Sequence, residues 1–234
     1  MVRVVAGGEE LYGFALEEPA ASLRLLIPSE DGSIVIPTWT GNQWELPGGR
    51  RPPIRTFTPR SFDGEQRELT LDVVLHDRGA ASDWARSAVT GNQLAISGPA
   101  AGYRIEPGTG SYVLAGDESA LPAIGQLLEW IPSHARIDVH VEIGNDAARQ
   151  QLPAHPQADV RWHLTRPDAP PGAAFAAAIE ELAETPEETR PEAWWVAGEA
   201  AAVQRVRRHL LETHELPRSA VTARGYWKFG RSAT

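Results

Sequence analysis

The spacing of apolar residues changes between the two halves of this chain. In the first half, segments such as Ser22–Ile27 and Glu68–Leu75 alternate apolar and polar residues, as half-buried strands do. In the second half, strands of this kind alternate with helical patterns, among them Ala173–Ala183 and Ala200–Thr213. This order predicts an antiparallel β domain followed by a parallel α/β domain.

The first half has the pattern of a small barrel. Short strands, including one at Gly91–Ser97, are separated by turns rich in Pro and Gly, which cluster at 47–53 and 99–110. Only one short helix is predicted there, at Ala80–Val89. We therefore predict a β-barrel over residues 1–108.

The second half has the pattern of a doubly wound sheet. Its predicted helices lie at Leu121–Ile131, Ala173–Ala183 and Ala200–Thr213. The strands between and around them are predicted at Tyr112–Ala115, Ile137–Ile143, Asp159–Thr165, Trp194–Ala197 and Val221–Arg224. This alternation predicts a mainly parallel sheet over residues 109–234, with the domain boundary near 107–110.

The composition excludes several kinds of chemistry. The chain has no cysteine, which excludes thiolate nucleophiles, iron–sulfur clusters and cysteine zinc sites, so any redox chemistry needs a bound cofactor. A net charge of −9 argues against general nucleic-acid binding. No apolar run is long enough to span a bilayer, and the N-terminus lacks the apolar core of a signal peptide. We expect a cytoplasmic protein without membrane insertion.

Basic residues gather near the C-terminus of this acidic chain. From Val203 onward, seven Arg and Lys residues stand against two acidic residues, Glu212 and Glu215. Lys228 is the only lysine, since every other cation is arginine. The arginine excess is typical of a high-GC genome, which does not explain the position of the lysine.

The segment RTFTPR, which starts at Arg55, is a candidate flavin site. A flavin needs a cation for its pyrophosphate, an aromatic face against its ring and a hydroxyl near N5 or O4. In an extended segment Arg55 and Phe57 share one face. Thr56, Thr58 and Arg60 share the other, unless a bend brings Thr58 towards the ring. A surface strand with two solvated arginines has the same pattern.

This segment resembles the R-x-Y-T-x-R flavin motif of the siderophore-interacting proteins, which are ferric-siderophore reductases. The resemblance implies that Arg55, Phe57, Thr58 and Arg60 bind FAD. Phe57 stands where the family usually has tyrosine, so ring stacking is kept and a hydroxyl contact to the flavin is lost.

A second segment, VVLHDRGAASDWA from Val73, resembles the family's V-L-H-x-x-G-x-A-S-x-W-A element. It implies a strand that enters a helix through a small-residue turn, where backbone N–H groups and a serine suit a pyrophosphate. The strand backbone at 74–76 would pair with the pyrimidine edge of the flavin, and the tryptophan also suits a core position. The FAD-binding residues predicted here are Val74, Leu75, His76, Ala80, Ala81, Ser82 and Trp84.

A third segment, LAGDESALPAI from Leu114, is similar to the family's A-G-D-E-T-A-L-P-A-I. It follows a strand and opens a helix, where parallel sheets bind nucleotides, although the chain has no G-x-G-x-x-G there. Asp or Ser in this segment can also simply cap the helix. The resemblance assigns to the NAD(P)H side the residues Gly116, Asp117, Glu118, Ser119 and Ala120.

Two further segments resemble the family's W-V-A-G-E-A and its G-Y-W-x-x-G ending. In the first, Glu199 either touches the nicotinamide or lies near the positive end of a helix, and we favour the second role. In the second, Trp227 is predicted to cover the flavin or the sheet edge. Lys228 and Arg231 are predicted to attract an anionic ferric chelate, although a solvated lysine after an apolar strand is equally consistent.

The resemblance covers residues 2–230 and implies both a fold and an activity. The fold is a Greek-key FAD-binding barrel at 1–108 followed by a ferredoxin-reductase-like NAD(P)H domain at 109–234. Family members usually carry a further strand ahead of the stretch matching Val2–Leu11. We therefore expect either a barrel that is one strand short or a start that is placed differently. The activity that the resemblance implies is the transfer of electrons from NAD(P)H, or from ferredoxin as the alternative donor, through FAD to ferric iron in a siderophore. We expect a monomer or a weak homo-oligomer.

Two other functions fit the same residues. One is a general flavin reductase whose protein partner docks on the basic tail, and the other is a non-catalytic siderophore- or nucleotide-binding protein that has lost FAD. No resident metal is predicted, and His134 and His140 are expected to have surface or structural roles. The arginines of 205–208 either hold a 2′-phosphate or lie on a helix surface.

Overall fold

The computed structural model describes residues 1–29, 32–46, 49, 53–76 and 79–230 of the 234-residue chain. These residues divide into two compact units, of which the first is Met1–Tyr103 and the second begins at Arg104. Nowhere in the described ranges is a helix both long and apolar enough to cross a membrane.

Within its described residues, the first unit consists of antiparallel strands and one short α-helix. The elements are β1 (Val2–Gly7), β2 (Ser22–Leu26), β3 (Thr38–Trp39), β4 (Trp44–Glu45), β5 (Ile54–Phe57), β6 (Pro59–Asp63), β7 (Glu68–Val73), α1 (Ala80–Ser87) and β8 (Ala95–Ala100). The hydrogen-bonded sheets have the strand orders β1-β7-β6, β5-β2-β8 and β3-β4, and each of these pairings is antiparallel, as predicted.

The alternation of apolar residues builds the core of the first unit. Leu69 and Leu71 of β7 and Leu23 and Leu25 of β2 are almost completely buried, and they form one cluster with Ala81 of α1. The alternation therefore identified both strands correctly. The predicted ends of two strands are wrong. The sequence predicted a strand to Leu75, but β7 ends at Val73, and it predicted a strand from Gly91, but β8 begins only at Ala95.

The second unit is a five-stranded parallel sheet flanked by helices, which confirms the predicted α/β arrangement. The elements are β9 (Ser111–Asp117), α2 (Leu121–Trp130), β10 (Arg136–Ile143), β11 (Ala158–Leu164), α3 (Ala173–Ala183), β12 (Ala193–Glu199), α4 (Ala200–Arg208) and β13 (Val221–Trp227). The strand order is β11-β10-β9-β12-β13, so the chain starts in the middle of the sheet, extends it to one side with β10 and β11, and then to the other side with β12 and β13.

Helices α3 and α4 cover one face of this sheet. Phe175 and Ile179 of α3 and Val203 and Val206 of α4 are fully buried, and they share a cluster with Trp194 of β12. The spacing of four and three residues places each pair on one face of its helix. The apolar pattern therefore predicted which helix faces are buried.

The end of α4 differs from the prediction. The sequence predicts a helix to residue 213, but the α-helix ends at Arg208 and a π-helical turn follows over His209–Thr213. In that turn the N–H of His214 donates to the carbonyl oxygen of His209. Apolar spacing alone does not distinguish this wider turn from an α-helix, because it adds only one residue per turn.

Candidate functional site

Strand β5 carries Arg55 and Phe57 on one face, as the alternation predicted. Both side chains are half-buried, whereas the residues before and between them are exposed. They lie opposite Leu25 and Leu23 of β2 in the ladder, and Phe57 also packs against the hydrophobic cluster of the first unit. The ring of Phe57 is therefore partly covered by the protein itself.

Thr58 lies where the chain passes from one sheet to the other. Strand β5 ends at Phe57 and pairs with β2, whereas β6 begins at Pro59 and pairs with β7. Thr58 is only 7% exposed, while Thr56 is exposed and Arg60 on β6 is half-buried. The three residues therefore do not share one face, because the chain bends at Thr58, which is the alternative that the sequence left open. A contact of Thr58 with the flavin ring stays a prediction.

The loop from β7 to α1 is held by residues of the helix. Oγ of Ser82, which is fully buried, accepts a hydrogen bond from the N–H of His76 at 3.2 Å, and Nη2 of Arg86 donates to the carbonyl oxygen of His76 at 2.9 Å. Both backbone groups of His76 are thus engaged. The predicted backbone contact to the flavin therefore depends on Val74 and Leu75, and the contacts of Ser82 and His76 to FAD stay predictions.

Helix α1 presents a buried donor that no described residue satisfies. Ala80, Ala81 and Trp84 pack in the same hydrophobic cluster as Phe57, and the indole Nε1 of Trp84 is buried without a hydrogen-bond partner in the described ranges. A buried N–H without an acceptor is costly, so this group is suited to donate to a ligand. With the guanidinium groups of Arg55 and Arg60, the donors present fit the anionic and polar parts of FAD.

Asp117 organises the carboxyl edge of the parallel sheet in the second unit. It is 8% exposed and accepts hydrogen bonds from the N–H of Ser119 at 2.9 Å, Oγ of Ser119 at 2.5 Å, the N–H of Glu199 at 2.7 Å and Nε1 of Trp227 at 2.8 Å. Burial raises the pKa of Asp117, and these hydrogen bonds oppose that rise. The bonds join the ends of β9, β12 and β13, so they bring together three of the predicted segments.

Glu199 completes this arrangement. It is 4% exposed, and its Oε2 accepts hydrogen bonds from the N–H groups of Ala201 at 2.6 Å and Ala202 at 2.9 Å. Its Oε1 accepts from the N–H of Phe229 at 3.1 Å. Glu199 therefore caps α4, the placement favoured from the sequence, and also fixes the chain just after Trp227.

Small residues allow these carboxylates to approach the backbone. A Cβ at Gly116 would overlap the carbonyl oxygen of Ala197, and a Cβ at Gly198, which has a φ of 143°, would lie 2.5 Å from Oδ2 of Asp117. The structure also places the two remaining residues of this predicted segment. Ala120 is fully buried, and Oε1 of Glu118 accepts a hydrogen bond from the N–H of Gly144 at 2.8 Å.

Glu142, at the end of β10, has a similar role that sequence reasoning missed. It is 2% exposed and accepts hydrogen bonds from Oγ1 of Thr165 and from the N–H groups of Gly172, Ala174 and Phe175, at 2.8–3.1 Å. It thus caps α3 from a neighbouring strand. The signal that was available is an acid on the alternating apolar strand IDVHVEI.

These caps decide how the sheet edge can bind a nucleotide. In dinucleotide folds with G-x-G-x-x-G, free N–H groups at a helix start bind the phosphates. Here the starts of α3 and α4 donate to Glu142 and Glu199, and the turn before α2 donates to Asp117. Nucleotide phosphates are therefore expected to be bound by cationic side chains.

A buried histidine pair lies two residues before this edge. His140 of β10 is 3% exposed, its Nδ1 lies 3.0 Å from Nε2 of His163 on β11, and its own Nε2 is buried without a partner among the described residues. Burial, and then the charges of His163 and Arg161, lower the pKa of His140 from 6.5 to about 4. Burial also lowers the pKa of His163. His140 is thus neutral in the folded chain, in keeping with its expected structural role.

This pair predicts a loss of stability in mild acid. Between pH 6.5 and 4 the unfolded chain binds a proton at His140 that the folded chain does not, so the free energy of unfolding falls as the pH falls through this window. Once the pH is well below 4, the lowered pKa of His140 has reduced the free energy of unfolding by about 3 kcal/mol. Urea unfolding of the wild type and of His140→Leu at several pH values measures it, and a leucine variant with the same pH slope as the wild type would contradict it.

The C-terminal tail places Lys228 between two anchored residues. Trp227 before it donates to Asp117, and Phe229 after it donates to Glu199, while Lys228 itself is exposed. Arg231 lies outside the described residues. In the arginine group at 205–208, Arg205 makes a bidentate ion pair with Glu180 of α3.

Comparison with known proteins connects both units to one family. The model of the siderophore-interacting FAD-binding domain matches residues 1–103, and the model of the siderophore-interacting protein matches residues 109–230. The chain belongs to the siderophore-interacting protein family. The two matched regions of the family coincide with the two compact units.

Members of this family with known roles or structures cover nearly the whole chain. A ferric vibriobactin reductase of Vibrio cholerae is 30% identical over 235 residues, covering 99% of this chain and 85% of its own. An NADPH-dependent ferric-chelate reductase of Escherichia coli is 30% identical over 229 residues, covering 96% and 86%. The crystal structure of a siderophore utilization protein from T. fusca is 33% identical, with a TM-score of 0.83 and coverage of 98% and 87%. The predicted fold, a flavin-domain barrel followed by a ferredoxin-reductase-like α/β domain, is confirmed.

Proposed function

We propose that the chain is an FAD-dependent reductase that passes electrons from NAD(P)H to ferric iron in siderophores. The observation that carries this function is the match of the siderophore-interacting FAD-binding domain and the siderophore-interacting protein to the two compact units, in a chain that ferric reductases match over 96–99% of its length. The iron is the substrate and leaves as Fe(II), which oxygen-donor siderophores bind more weakly.

The first unit holds FAD in this proposal. Arg55 and Arg60 would neutralise the pyrophosphate, Phe57 would contact the ring system, and Trp84 would donate its buried N–H to the cofactor. The chemistry that FAD would supply when bound is hydride acceptance and one-electron transfer, which the side chains of a cysteine-free protein perform poorly. The protein residues bind and orient the cofactor, and they supply no catalytic acid or base.

The second unit binds the nicotinamide nucleotide at its carboxyl edge. Asp117, Glu199 and Trp227 shape this edge through hydrogen bonds to one another and to the backbone, so they position the surface rather than offer free ligands. The phosphates are bound by arginines outside these caps. The reaction belongs in the cytoplasm, and the chain acts as a monomer or weak homo-oligomer, which sedimentation would measure.

The test of this function is spectroscopic. The purified chain should be yellow or take up FAD, anaerobic NADPH should bleach the flavin bands, and a ferric siderophore should restore them. NADH and reduced ferredoxin, offered separately, identify the donor. If reduced flavin stays unoxidised with every ferric chelate, the substrate is wrong and a general flavin reductase is favoured. If the chain binds ferric chelates but never FAD, a non-catalytic binding protein is favoured.

Lys228 is expected to recruit the negatively charged chelate. Because its neighbours on both sides are anchored, Lys228→Gln changes the charge without freeing the tail, and the KM for an anionic ferric chelate should rise by about 3- to 10-fold at low salt. Arg149→Gln is the matched control, since Arg149 is exposed and ion-paired with Asp146. Equal KM values for the two variants would assign the chelate to another surface.

A further inference from the structure

Three potential metal ligands meet at the edge of the second unit opposite Asp117. Nε2 of His214 lies 3.0 Å from Nε2 of His209 and 3.2 Å from Oε1 of Glu184, and Nε2 of His209 lies 3.7 Å from the same oxygen. Glu184 follows the last residue of α3, His209 begins the π-helical turn that follows α4, and His214 directly follows that turn. No function described above uses these residues.

The π-helical turn is what brings the two histidines together. In an α-helix, residues five apart point about 140° away from each other. The wider turn over His209–Thr213 bonds residue i to i+5, which places His209 and His214 almost one above the other. Their rings contact edge to face, with centroids 4.6 Å apart. Glu215, directly after His214, has the left-handed φ of 50°.

An ion pair one helical turn earlier aligns the carboxylate with the histidines. Arg205 donates to both carboxylate oxygens of Glu180, at 2.7 and 2.5 Å, which joins α4 to α3. Glu184 and His209 each lie four residues further along their helices, so they face each other in the next turn. The cluster is thus built by two helices that another contact already holds in register.

Without a cation, the hydrogen bonds within this cluster depend on which imidazole nitrogens carry protons. Two imidazole nitrogens 3.0 Å apart can share only one proton between them, and each also faces the carboxylate of Glu184. A dipositive ion between them would satisfy both nitrogens and the carboxylate at once.

The distances suit a transition-metal ion. A triangle with sides of 3.0, 3.2 and 3.7 Å has a circumscribed circle of radius about 1.9 Å, so a point about 2.0–2.1 Å from all three atoms lies just out of their plane, at the bond lengths of zinc. The side chains of His209 and His214 are 20% and 11% exposed and that of Glu184 is 66% exposed, which leaves a fourth position open to solvent.

We propose that Glu184, His209 and His214 form a binding site for one divalent first-row transition-metal ion, with zinc as its simplest occupant. Two imidazoles and one carboxylate favour such an ion over magnesium or calcium, which prefer all-oxygen ligands. The bound ion would link the ends of α3 and α4 and stabilise the second unit. The sequence predicted no metal site, because the carboxylate is 25 residues from the first histidine and the pairing needs the π-helical turn.

Zinc titration of the full, tag-free chain after treatment with a chelator tests this site. Calorimetry should give one zinc ion per chain, and the melting temperature should rise by several degrees when zinc exceeds its dissociation constant by about a hundredfold. Glu184→Gln should weaken zinc binding at least tenfold, and His214→Gln by as much or more. Glu184 is exposed, so its variant stays informative if the histidine variant does not fold.

Two substitutions outside the cluster serve as controls. Glu188→Gln removes an exposed carboxylate after the same helix, and His134→Gln removes an exposed imidazole. Both should bind zinc as the wild type does. The proposal is overturned if the wild type binds no zinc with one-to-one stoichiometry, or if Glu184→Gln binds it as tightly as the controls do. Ferric-reductase activity plays no part in this readout, so the site and the proposed function are tested separately.

Discussion

Replacement of Arg55 by alanine is expected to lower the affinity of the chain for FAD by about 10- to 100-fold, because a hydrogen bond to a charged group contributes about 1.5–3 kcal/mol. Arg55 is a half-buried residue of β5, next to the bend that carries Thr58, and its Nη1 donates to the carbonyl oxygen of Ile54 at 2.9 Å. A charge-assisted bond from this guanidinium to a pyrophosphate is stronger than a bond between neutral groups. Fluorescence titration of the apoprotein with FAD measures the change, and Arg60→Ala should behave in the same way.

The neighbouring strand offers a matched control for this prediction. Arg24 of β2 is exposed, lies opposite Thr56 in the ladder, and can be changed to alanine with the same loss of charge. If Arg24→Ala and Arg55→Ala lower the affinity for FAD equally, the effect is one of net charge and the flavin site lies elsewhere. Phe57→Tyr, which introduces the residue usual in the family, should bind FAD at least as tightly as the wild type.

Asp117→Ala is expected to lower the free energy of unfolding of the second unit by about 3–5 kcal/mol, since each buried donor left without an acceptor costs about 1–3 kcal/mol. Its carboxylate accepts four hydrogen bonds that join three strands, so its loss leaves donors of Ser119, Glu199 and Trp227 without their acceptor. Urea unfolding followed by tryptophan fluorescence measures this, because Trp194 and Trp195 are fully buried in the second unit. Asp117→Asn should also lower the free energy of unfolding of the second unit, because the N–H groups of its amide would face other donors.

An exposed aspartate of the same unit provides the control. Asp146 makes a surface ion pair with Arg149 at 2.8 Å, and Asp146→Ala should cost less than about 1 kcal/mol. A double-mutant cycle with Trp227→Phe should give a coupling of at least about 0.5 kcal/mol between Asp117 and the indole. A loss below about 1 kcal/mol in Asp117→Ala would show that the four hydrogen bonds do not hold the sheet edge together.

The sequence located the important segments better than it assigned their residues. The segments with Arg55, Ser82, Asp117 and Glu199 all lie at strand ends, as parallel and barrel folds require of binding sites. Local pattern predicted that Glu199 would lie at a helix start, because a strand, a Gly-Glu pair and an alanine-rich helix follow one another. The hydrogen-bond partners of Asp117 were not predictable, since two of them lie 82 and 110 positions away in the sequence.

Polar residues inside strands were the other difficulty. His140 and Glu142 lie on an alternating strand, where a polar residue is usually expected to face water. Here helix α3 covers that face and is capped by Glu142, while His140 is buried beside His163 of the neighbouring strand β11. The covering element determines whether an alternating polar position is exposed, and it is remote in sequence.

The change in apolar spacing near residue 110 by itself determined the antiparallel first unit, the parallel α/β unit and the buried faces of α3 and α4. Burial of apolar side chains depends on local periodicity, which a single chain displays directly. The tertiary structure alone decided the bend that buries Thr58, the internal capping of the helix starts by Asp117, Glu142 and Glu199, and the meeting of Glu184 with two histidines in a π-helical turn. Hydrogen bonds and metal ligands need particular atoms within about 3 Å of one another, and only the folded chain sets those distances.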